Sequence, residues 1–523
     1  MKARNGMAYL AVLMAVLLLT TLGLTLLSRV SVQRVVTDSR VPAMQAAYLA
    51  ESAASHAMWR LLNDTNFPAS TNTYTMHSLA GGRYGYKVRK HTGTTFATVS
   101  VIGVFSNQVV RQSYVLYVVP TGRAGMAVWS GGSTPEYNVW DGSVFGATKS
   151  CVYQGSRWRI MAGASAPTRD EMIVAGVENG GQISGEMWNG TAWSSSNLAA
   201  LATVSVTDRW SVDAAYASLS GDLMLVWNSG LAAGATLQYK VWNGTAWSAA
   251  SSVSGTVLPV GCGPQQLRLA ASPTSDEMVL VVSDVNSYDY ALVWNGSQWG
   301  NGIALHTGFG DDQTDVYAAY EQQGGRAMVV YSRNGVDVTY RLWNGTAWSS
   351  ESTVARAAGI VGKVRWATLA SDPGSDRIAL GVLTFSKERW FAVWDGSAWG
   401  EKISSSMASP GDTYPNVAVA FEGRSGQALA TYGRSAKEVM YRTWTPGVGW
   451  SAEVKGPNVG ANPNSMMLDA IAGSDTIMLS VQDAGSDLNY VHWDGGAWGG
   501  ARELETSSGE IKNQPFLFLY RKQ

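Results

Sequence analysis

Three Arg–Trp pairs carry the clearest binding chemistry in this sequence. The pairs and two aspartates that stand at equivalent places are Arg157–Trp158, Arg209–Trp210, Arg365–Trp366, Asp315 and Asp412. An indole face can stack on a sugar ring, and a guanidinium donates several hydrogen bonds to hydroxyls or carboxylates. We therefore predict a ligand-binding face made of these residues. The alternative is that each Trp packs between structural units while each Arg caps a loop.

No catalytic or metal-binding set stands out. Cys151 and Cys262 are far apart, and the five histidines are scattered without the spacing of metal ligands. The repeats hold no Ser-His-Asp arrangement, no paired carboxylates and no sialidase-type Asp-box. We predict no catalytic residue, no metal, no cofactor and no enzymatic activity, and two separate thiols rather than a disulfide. A cluster of acids or nucleophiles at the mouth of the fold would instead favour a hydrolase.

The composition excludes further classes of protein. A net charge of -1 over 523 residues argues against a nucleic-acid partner, because phosphate contacts need an excess of Lys and Arg. Charged residues make up 15% of the chain, beside 57 glycines and 22 tryptophans. This balance is typical of a turn-rich body of β-strands and argues against disorder.

A tryptophan motif repeats about every 50 residues after position 123. Its copies begin at Trp140, Trp188, Trp242, Trp294, Trp343, Trp394, Trp444 and Trp493. Most copies read like WNGTAW or WDGSAW, and the seventh is the irregular WTPGVGW. Asn-Gly and Asp-Gly supply the positive φ angles of a tight hairpin turn. We therefore expect a hairpin with the two aromatic residues as a diagonal pair on one face, and we attribute the Asn-Gly-Thr sequons to turn chemistry rather than glycosylation.

Each repeat contains four short strand patterns, which is the content of one propeller blade. Seven inner-strand patterns precede motifs two to eight, and an eighth follows the last motif at 516–520. We predict an eight-bladed β-propeller over residues 123–523, closed by pairing this C-terminal strand with Gly125–Trp129. A seven-bladed ring with irregular ends and a linear array remain alternatives.

The N-terminal segment has a different pattern. Lys2 and Arg4 precede Gly6, and residues 7–27 carry no charge, which is long enough to span a bilayer. Helical periodicity continues to about residue 63 with polar residues interleaved. We predict one long helix over 7–63, bent at Pro42, and a small antiparallel sheet over 64–120.

The leader MKARNG, the segment MAYLAVLMAVLLLTTLGLTLL and the later AAYLAESAASHAMWRLL resemble the type IV pilin superfamily, particularly its minor pilins and the K-type minor pseudopilin. The resemblance covers about residues 1–120. It implies cleavage by a prepilin peptidase after Gly6, N-methylation of Met7, and packing of the helix against other pilin or pseudopilin subunits after it leaves the membrane. Ala11 stands where major pilins carry a glutamate, which the resemblance associates with subunits that start or cap a filament.

The predicted fold class is mainly β with one long N-terminal α-helix, followed by the pilin-like sheet and the propeller. The expected function is a minor pilin-like subunit of a type IV pilus or related filament, at the tip or sparsely incorporated, that presents the propeller for adhesion to a surface glycan or protein. The expected localisation is the inner membrane as a precursor and then the cell surface. The alternatives are a membrane-anchored propeller hydrolase and a purely structural filament subunit.

Overall fold

A computed structural model describes residues 40–63, 73–79, 81–90, 96–106, 108–117, 124–205, 209–230, 237–253, 257–259, 262–306, 316–332, 335, 337–405, 414–471, 473–506 and 514–521. Contacts between Cα atoms divide the chain into two compact units, Met1–Thr121 and Gly122–Gln523. The two units are described separately.

The first unit contains a helix and a four-stranded antiparallel sheet. The helix is Arg40–Asn63, and the strands are Thr75–Leu79, Gly82–Lys90, Phe96–Phe105 and Gln108–Tyr117, paired in chain order. Buried alanines at 46, 50, 53 and 57 follow helical spacing, and the last three pack with Val88, Val99 and Val101. Gly103 permits this close packing, because a Cβ there would lie 1.9 Å from the Ala46 carbonyl oxygen. The small residues therefore set how closely the helix approaches the sheet.

The predicted fold class is wrong in its long helix. The helix in the described residues is Arg40–Asn63, which has 24 residues, and Pro42 lies within it. The chain is otherwise mainly strand, in several small antiparallel sheets.

The predicted membrane span is not supported either. Among the described residues, no helix is long and apolar enough to cross a bilayer. Residues 7–27, on which that prediction rests, lie outside the described residues, as do Gly6 and Met7.

The second unit consists of eight sheets, which we number as blades 1 to 8. In each blade the strands are given from the inner strand outwards. Blade 1 is Phe516–Tyr520, Gly125–Trp129, Glu136–Trp140 and Lys149–Ser150; blade 2 is Trp158–Ser165, Met172–Glu178, Gln182–Trp188, Trp193–Ser194 and Ala202–Thr203; blade 3 is Val212–Tyr216, Leu223–Asn228, Leu237–Trp242 and Ser251–Ser252; blade 4 is Pro264–Ala271, Met278–Asp284, Asp289–Trp294 and Trp299–His306.

The remaining blades repeat this order. Blade 5 is Tyr317–Tyr320, Ala327–Ser332, Val338–Trp343 and Ser352–Val354; blade 6 is Val364–Ser371, Ile378–Thr384, Arg389–Trp394 and Ile403–Ser404; blade 7 is Val417–Phe421, Ala428–Tyr432, Glu438–Thr445, Gly449–Trp450 and Val454–Asn458; blade 8 is Pro463–Ala470, Ile477–Asp483, Leu488–Trp493 and Arg502–Glu505.

The eight blades form a closed ring. The inner strand of each blade contacts the inner strand of the next, and that of blade 8 contacts Phe516–Tyr520 of blade 1, which in turn contacts blade 2. Phe516–Tyr520 pairs along its length with Gly125–Trp129, the partner expected from the repeat count. The Arg521 guanidinium also forms an ion pair at 2.5 Å with Asp170 of blade 2. These contacts define an eight-bladed β-propeller around a central channel.

The Trp motif forms the outer hairpin of each blade. Trp188 and Trp193 lie directly opposite each other, as do Trp242 and Trp247, so the expected diagonal arrangement is wrong. The motif glycine has a φ between 88° and 105° in all seven copies that contain it. The Asn189 side-chain oxygen accepts hydrogen bonds from the backbone N–H of Thr191 and Ala192 and from the Thr191 hydroxyl. The turn role predicted for the sequon is therefore confirmed at this position.

Candidate functional site

The central channel holds a cavity of about 360 Å³. It is lined by residues from the inner strands of blades 2 to 8 and by Gln514, which precedes the inner strand of blade 1. Each inner strand pairs with the second strand of its blade, so the pairing register aligns equivalent positions around the ring. Two of these aligned levels carry the polar chemistry of the cavity.

The first level lies one residue before the last paired residue of each inner strand. Blades 2 to 7 place alanine there: Ala164, Ala215, Ala270, Ala319, Ala370 and Ala420. Blade 8 places Asp469 and blade 1 places Leu519. Three residues of this level, Ala370, Ala420 and Asp469, line the cavity, so a carboxyl group stands beside two small side chains there.

The second level lies two residues earlier, about 7 Å along the strands. Blades 3 to 6 contribute a continuous polar arc at this level: Asp213, Arg268, Tyr317 and Thr368. The other four blades place Ala162, Ala418, Met467 and Leu517 there. One half of this level is therefore polar and the other half apolar.

Asp213 and Arg268 form the centre of the polar arc. The Asp213 carboxylate accepts hydrogen bonds from the backbone N–H of Ala214 at 2.9 Å and from that of Leu269, in the next blade, at 2.8 Å. Burial raises the pKa of Asp213 to about 6, although Arg268 and both backbone donors oppose the shift. Burial also raises the pKa of Tyr317, again opposed by Arg268.

Two of the predicted tryptophans meet across the channel. The rings of Trp210 and Trp366 are 5.8 Å apart and nearly perpendicular, and the Arg268 guanidinium lies 4.3 Å from the Trp210 ring centroid. Because blades 3 and 6 are three positions apart in the ring, this Trp–Trp contact bridges the channel. Aromatic faces thus border one end of the cavity.

The other predicted site residues do not join this cavity. Trp158 is fully buried, stacks on Tyr153 and donates a hydrogen bond from Nε1 to the Ser184 hydroxyl at 2.8 Å. The Arg365 guanidinium packs over the Phe385 ring at 4.6 Å. Arg157 and Arg209 are half-buried outside the cavity lining, and Asp315 and Asp412 lie outside the described residues.

The Arg–Trp pairs separate because neighbouring residues of an extended chain point in opposite directions. Four residues of the cavity lining were not predicted from the sequence: Asp213, Arg268, Tyr317 and Asp469. For Asp469 the signal is its place among the alanines of the first level, which becomes visible only when the strand register is known.

Asp469 differs from the other polar groups of the channel. Its Oδ2 atom is buried and accepts no hydrogen bond from the described residues. Burial alone raises the pKa of Asp469 to about 8. A buried carboxyl group without a partner is costly, so this residue is a candidate for contact with a ligand.

A second set of polar clusters lies between neighbouring blades. In the best-defined cluster, Trp394 of blade 6 donates from Nε1 to the Glu321 carboxylate at 2.8 Å, and Arg326 donates to both oxygens of that carboxylate. Glu171, Glu277 and Glu422 receive equivalent bonds from Trp242, Trp343 and Trp493. The Glu321 side chain is fully buried and both its oxygens are occupied. These clusters therefore hold adjacent blades together.

No family model and no curated protein matches this chain. Among solved structures it is similar to the BP39L lectin from Burkholderia pseudomallei, with a TM-score of 0.49 and 12% identity over 66% of this chain and 100% of that one. It is also similar to the Aleuria aurantia lectin in complex with Fucα1-6GlcNAc, with a TM-score of 0.39 and 14% identity over 67% and 96%. AofleA from Arthrobotrys oligospora has a TM-score of 0.38 and 13% identity over 70% and 90%.

The propeller assignment rests on the strand pairing of the chain itself. The pilin resemblance finds no support, because no family model matches the chain. The assignment to a type IV pilus, with its prepilin processing, N-methylation and pilin partners, is therefore not carried further.

Proposed function

We propose that the propeller is a carbohydrate-binding module that holds a small sugar in its central channel without turning it over. The observation that carries this proposal is the combination, in one cavity of about 360 Å³, of two tryptophans and a one-sided polar arc. Ligand pockets of this size that pair aromatic faces with a few oriented polar groups suit small molecules.

The polar arc supplies the groups that sugar hydroxyls need. A carboxylate accepts hydrogen bonds from hydroxyls, a guanidinium donates to them, and the Tyr317 and Thr368 hydroxyls can do both. The apolar half of the same level, with Ala418 and Met467, offers contact to the C–H face of a sugar ring. The arrangement therefore matches the amphipathic character of a monosaccharide.

Sugar binding is best measured by titration calorimetry on the 523-residue chain, with a panel of monosaccharides that includes fucose, glucose, N-acetylglucosamine and glucosamine. We expect Trp366→Ala to weaken binding at least tenfold and Trp366→Phe, which preserves an aromatic ring, to weaken it less. Asn243→Asp is the matched control, because this exposed turn residue is aspartate in sister repeats. The affinity of the Asn243→Asp variant for each sugar should equal that of the unmodified protein.

Two other outcomes would reject the proposal. Absence of binding to every sugar in the panel would exclude the channel as a carbohydrate site. Release of new reducing ends from an oligosaccharide would instead favour the hydrolase alternative, for which Asp213 and Asp469 would be the carboxylates to test. Extracellular localisation and the lack of enzymatic activity stay predictions.

A further inference from the structure

Asp469 is the one acidic residue at its level of the ring, among six alanines and a leucine. Asp469 is one of the residues that line the cavity, and its Oδ2 atom is buried without a hydrogen-bond partner among the described residues. An alanine at this position would fit the repeat and avoid the cost of burying a carboxyl group. A group of this kind is better explained by a partner that arrives with a ligand than by the packing of the ring.

The charges around the channel are unequal. Arg268 lies beside Asp213 and stacks on Trp210 and Tyr317, so its charge is already engaged in blades 3 to 5. Blade 8, which carries Asp469, is four positions from blade 4 in a ring of eight and therefore faces Arg268 across the channel. Within the described part of the chain, burial is what perturbs Asp469, and no basic side chain pairs with it. The channel thus holds one acid without a compensating cation.

We infer that the channel selects a sugar that carries a primary ammonium group, an amino sugar, whose ammonium is bound by the Asp469 carboxylate while its hydroxyls face the arc of Asp213, Arg268 and Tyr317. This inference rests on the proposed sugar-binding function and names its ligand class. A carboxylate–ammonium contact is charge-assisted and stronger than a contact to a neutral hydroxyl. Asp469 and the polar arc line the same cavity, so one ligand can face both.

The selectivity test compares glucosamine, glucose and N-acetylglucosamine on the full-length chain at pH 6.5. These sugars share the glucose frame, and only glucosamine carries an ammonium at this pH. Because the Asp469 carboxyl group is protonated at pH 6.5 in the absence of a ligand, binding of the ammonium would ionise it and release its proton to the solvent. We expect glucosamine to bind at least tenfold more tightly than the other two. Asp469→Asn and Asp469→Ala should abolish this preference while glucose binding stays within about twofold, because a tenfold preference corresponds to about 1.4 kcal/mol of charge-assisted binding.

The matched control, Asp395→Asn, removes a carboxylate far from the channel. Asp395 lies in an exposed turn where sister repeats carry asparagine, so this substitution should leave the preference for glucosamine unchanged. Equal binding of all three sugars, or a preference that survives in Asp469→Asn, would overturn the amino-sugar inference while sugar binding stands. Absence of binding to any sugar would overturn both the proposed function and this inference.

Discussion

The buried carboxyl group of Asp469 makes the stability of the folded propeller depend on pH. Because its pKa is raised to about 8 in the folded chain, folding favours the protonated form. This contribution to stability is complete below pH ~4, near the pKa of an unfolded aspartate, and is lost as the pH rises to about 8. The variant Asp469→Asn has no titrating group at this position, so its free energy of unfolding should not fall in this way as the pH rises.

Thermal unfolding of Asp469→Asn at pH 4 and pH 8.5 tests this cost. We expect the Tm of the variant to exceed that of the unmodified protein by about 2 °C or more at pH 8.5, with little difference at pH 4. Asp395→Asn removes a carboxylate that backbone N–H groups stabilise in a turn, so it should show no such gain. A constant Tm difference at both pH values would contradict the role of burial.

The two tryptophans of one hairpin allow a matched test of the interblade clamp. Trp394 donates from Nε1 to the buried Glu321 carboxylate, whereas the Trp399 Nε1 has no hydrogen-bond partner among the described residues. Trp394→Phe should therefore lower the free energy of unfolding by about 1–3 kcal/mol more than Trp399→Phe does. Denaturant unfolding of both variants measures the difference, and equal losses would show that the bond to Glu321 adds nothing to packing.

Single residues could be predicted from the sequence where their chemistry is local. The Asn-Gly turn works through hydrogen bonds within three residues. Cys151 and Cys262 are free, as predicted, and both are buried. Trp210 and Trp366 were selected by type and do meet in the channel. Asp469 and Asp213 were missed, because their roles depend on which strand position faces which across the ring.

At the scale of elements, the C-terminal strand completes blade 1. Phe516–Tyr520 is mostly buried, and its loss would leave the backbone groups of Gly125–Trp129 unpaired at a sheet edge. Deleting residues 516–523 should therefore prevent cooperative folding, whereas deleting only residues 522–523 should leave the Tm unchanged. An equal Tm for both truncations, measured by circular dichroism, would contradict ring closure by this strand.

A point variant keeps this test informative if the truncated chain is insoluble. Phe518 is 1% exposed and packs in a cluster shared with blade 8. Phe518→Ala should cost about 3–5 kcal/mol of unfolding free energy through the cavity that it leaves. A loss below about 1 kcal/mol would mean that the strand contributes little to the ring.

The sheet of the first unit has its own pH dependence. His56 Nδ1 lies 3.1 Å from the Tyr84 hydroxyl, and its ring is 4.7 Å from that of His77. Burial lowers the pKa of His56, and His77 and Arg60 lower it further. The folded unit therefore favours neutral His56, so this contribution is present above pH ~6.5 and is lost as the pH falls below that value.

Amide hydrogen exchange of Gly82–Lys90 and Phe96–Phe105 measures the stability of this sheet. After the measured rates are corrected for intrinsic exchange, we expect several-fold less protection at pH 5.5 than at pH 7.5. The difference in protection between the two pH values should be smaller in His56→Gln. Ser52→Ala, on an exposed part of the same helix, should behave as the unmodified protein does. Equal protection at both pH values would exclude a role for His56.

Elements were predictable where a pattern repeats and ambiguous where it does not. The Trp motif marks each blade, because a hairpin needs the same turn residues every time. The predicted N-terminal helix is longer than the described helix, because an apolar and an amphipathic helical pattern follow one another without a break along the sequence.

At the scale of the whole molecule, the core is distributed around the ring. Most hydrophobic clusters of the propeller contain buried residues of two adjacent blades: blades 2 and 3, blades 3 and 4, and so on until blades 8 and 1. A blade therefore has no complete core of its own. This arrangement differs from a linear array, which was an alternative at the sequence level and can lose terminal units first.

The closed ring predicts a single cooperative transition for the propeller. Leu280 of blade 4 and Leu380 of blade 6 are fully buried in different interblade clusters. Leu280→Ala and Leu380→Ala should each lower the stability of the entire ring by about 2–5 kcal/mol, because a cavity at one interface weakens a unit that unfolds as a whole. Near-ultraviolet circular dichroism of the tryptophans and far-ultraviolet circular dichroism of the strands should give coincident curves for both variants. If either variant separated the two curves or produced an early partial transition, the blades would be unfolding in sequence, and the stability of the channel site could no longer be attributed to the ring.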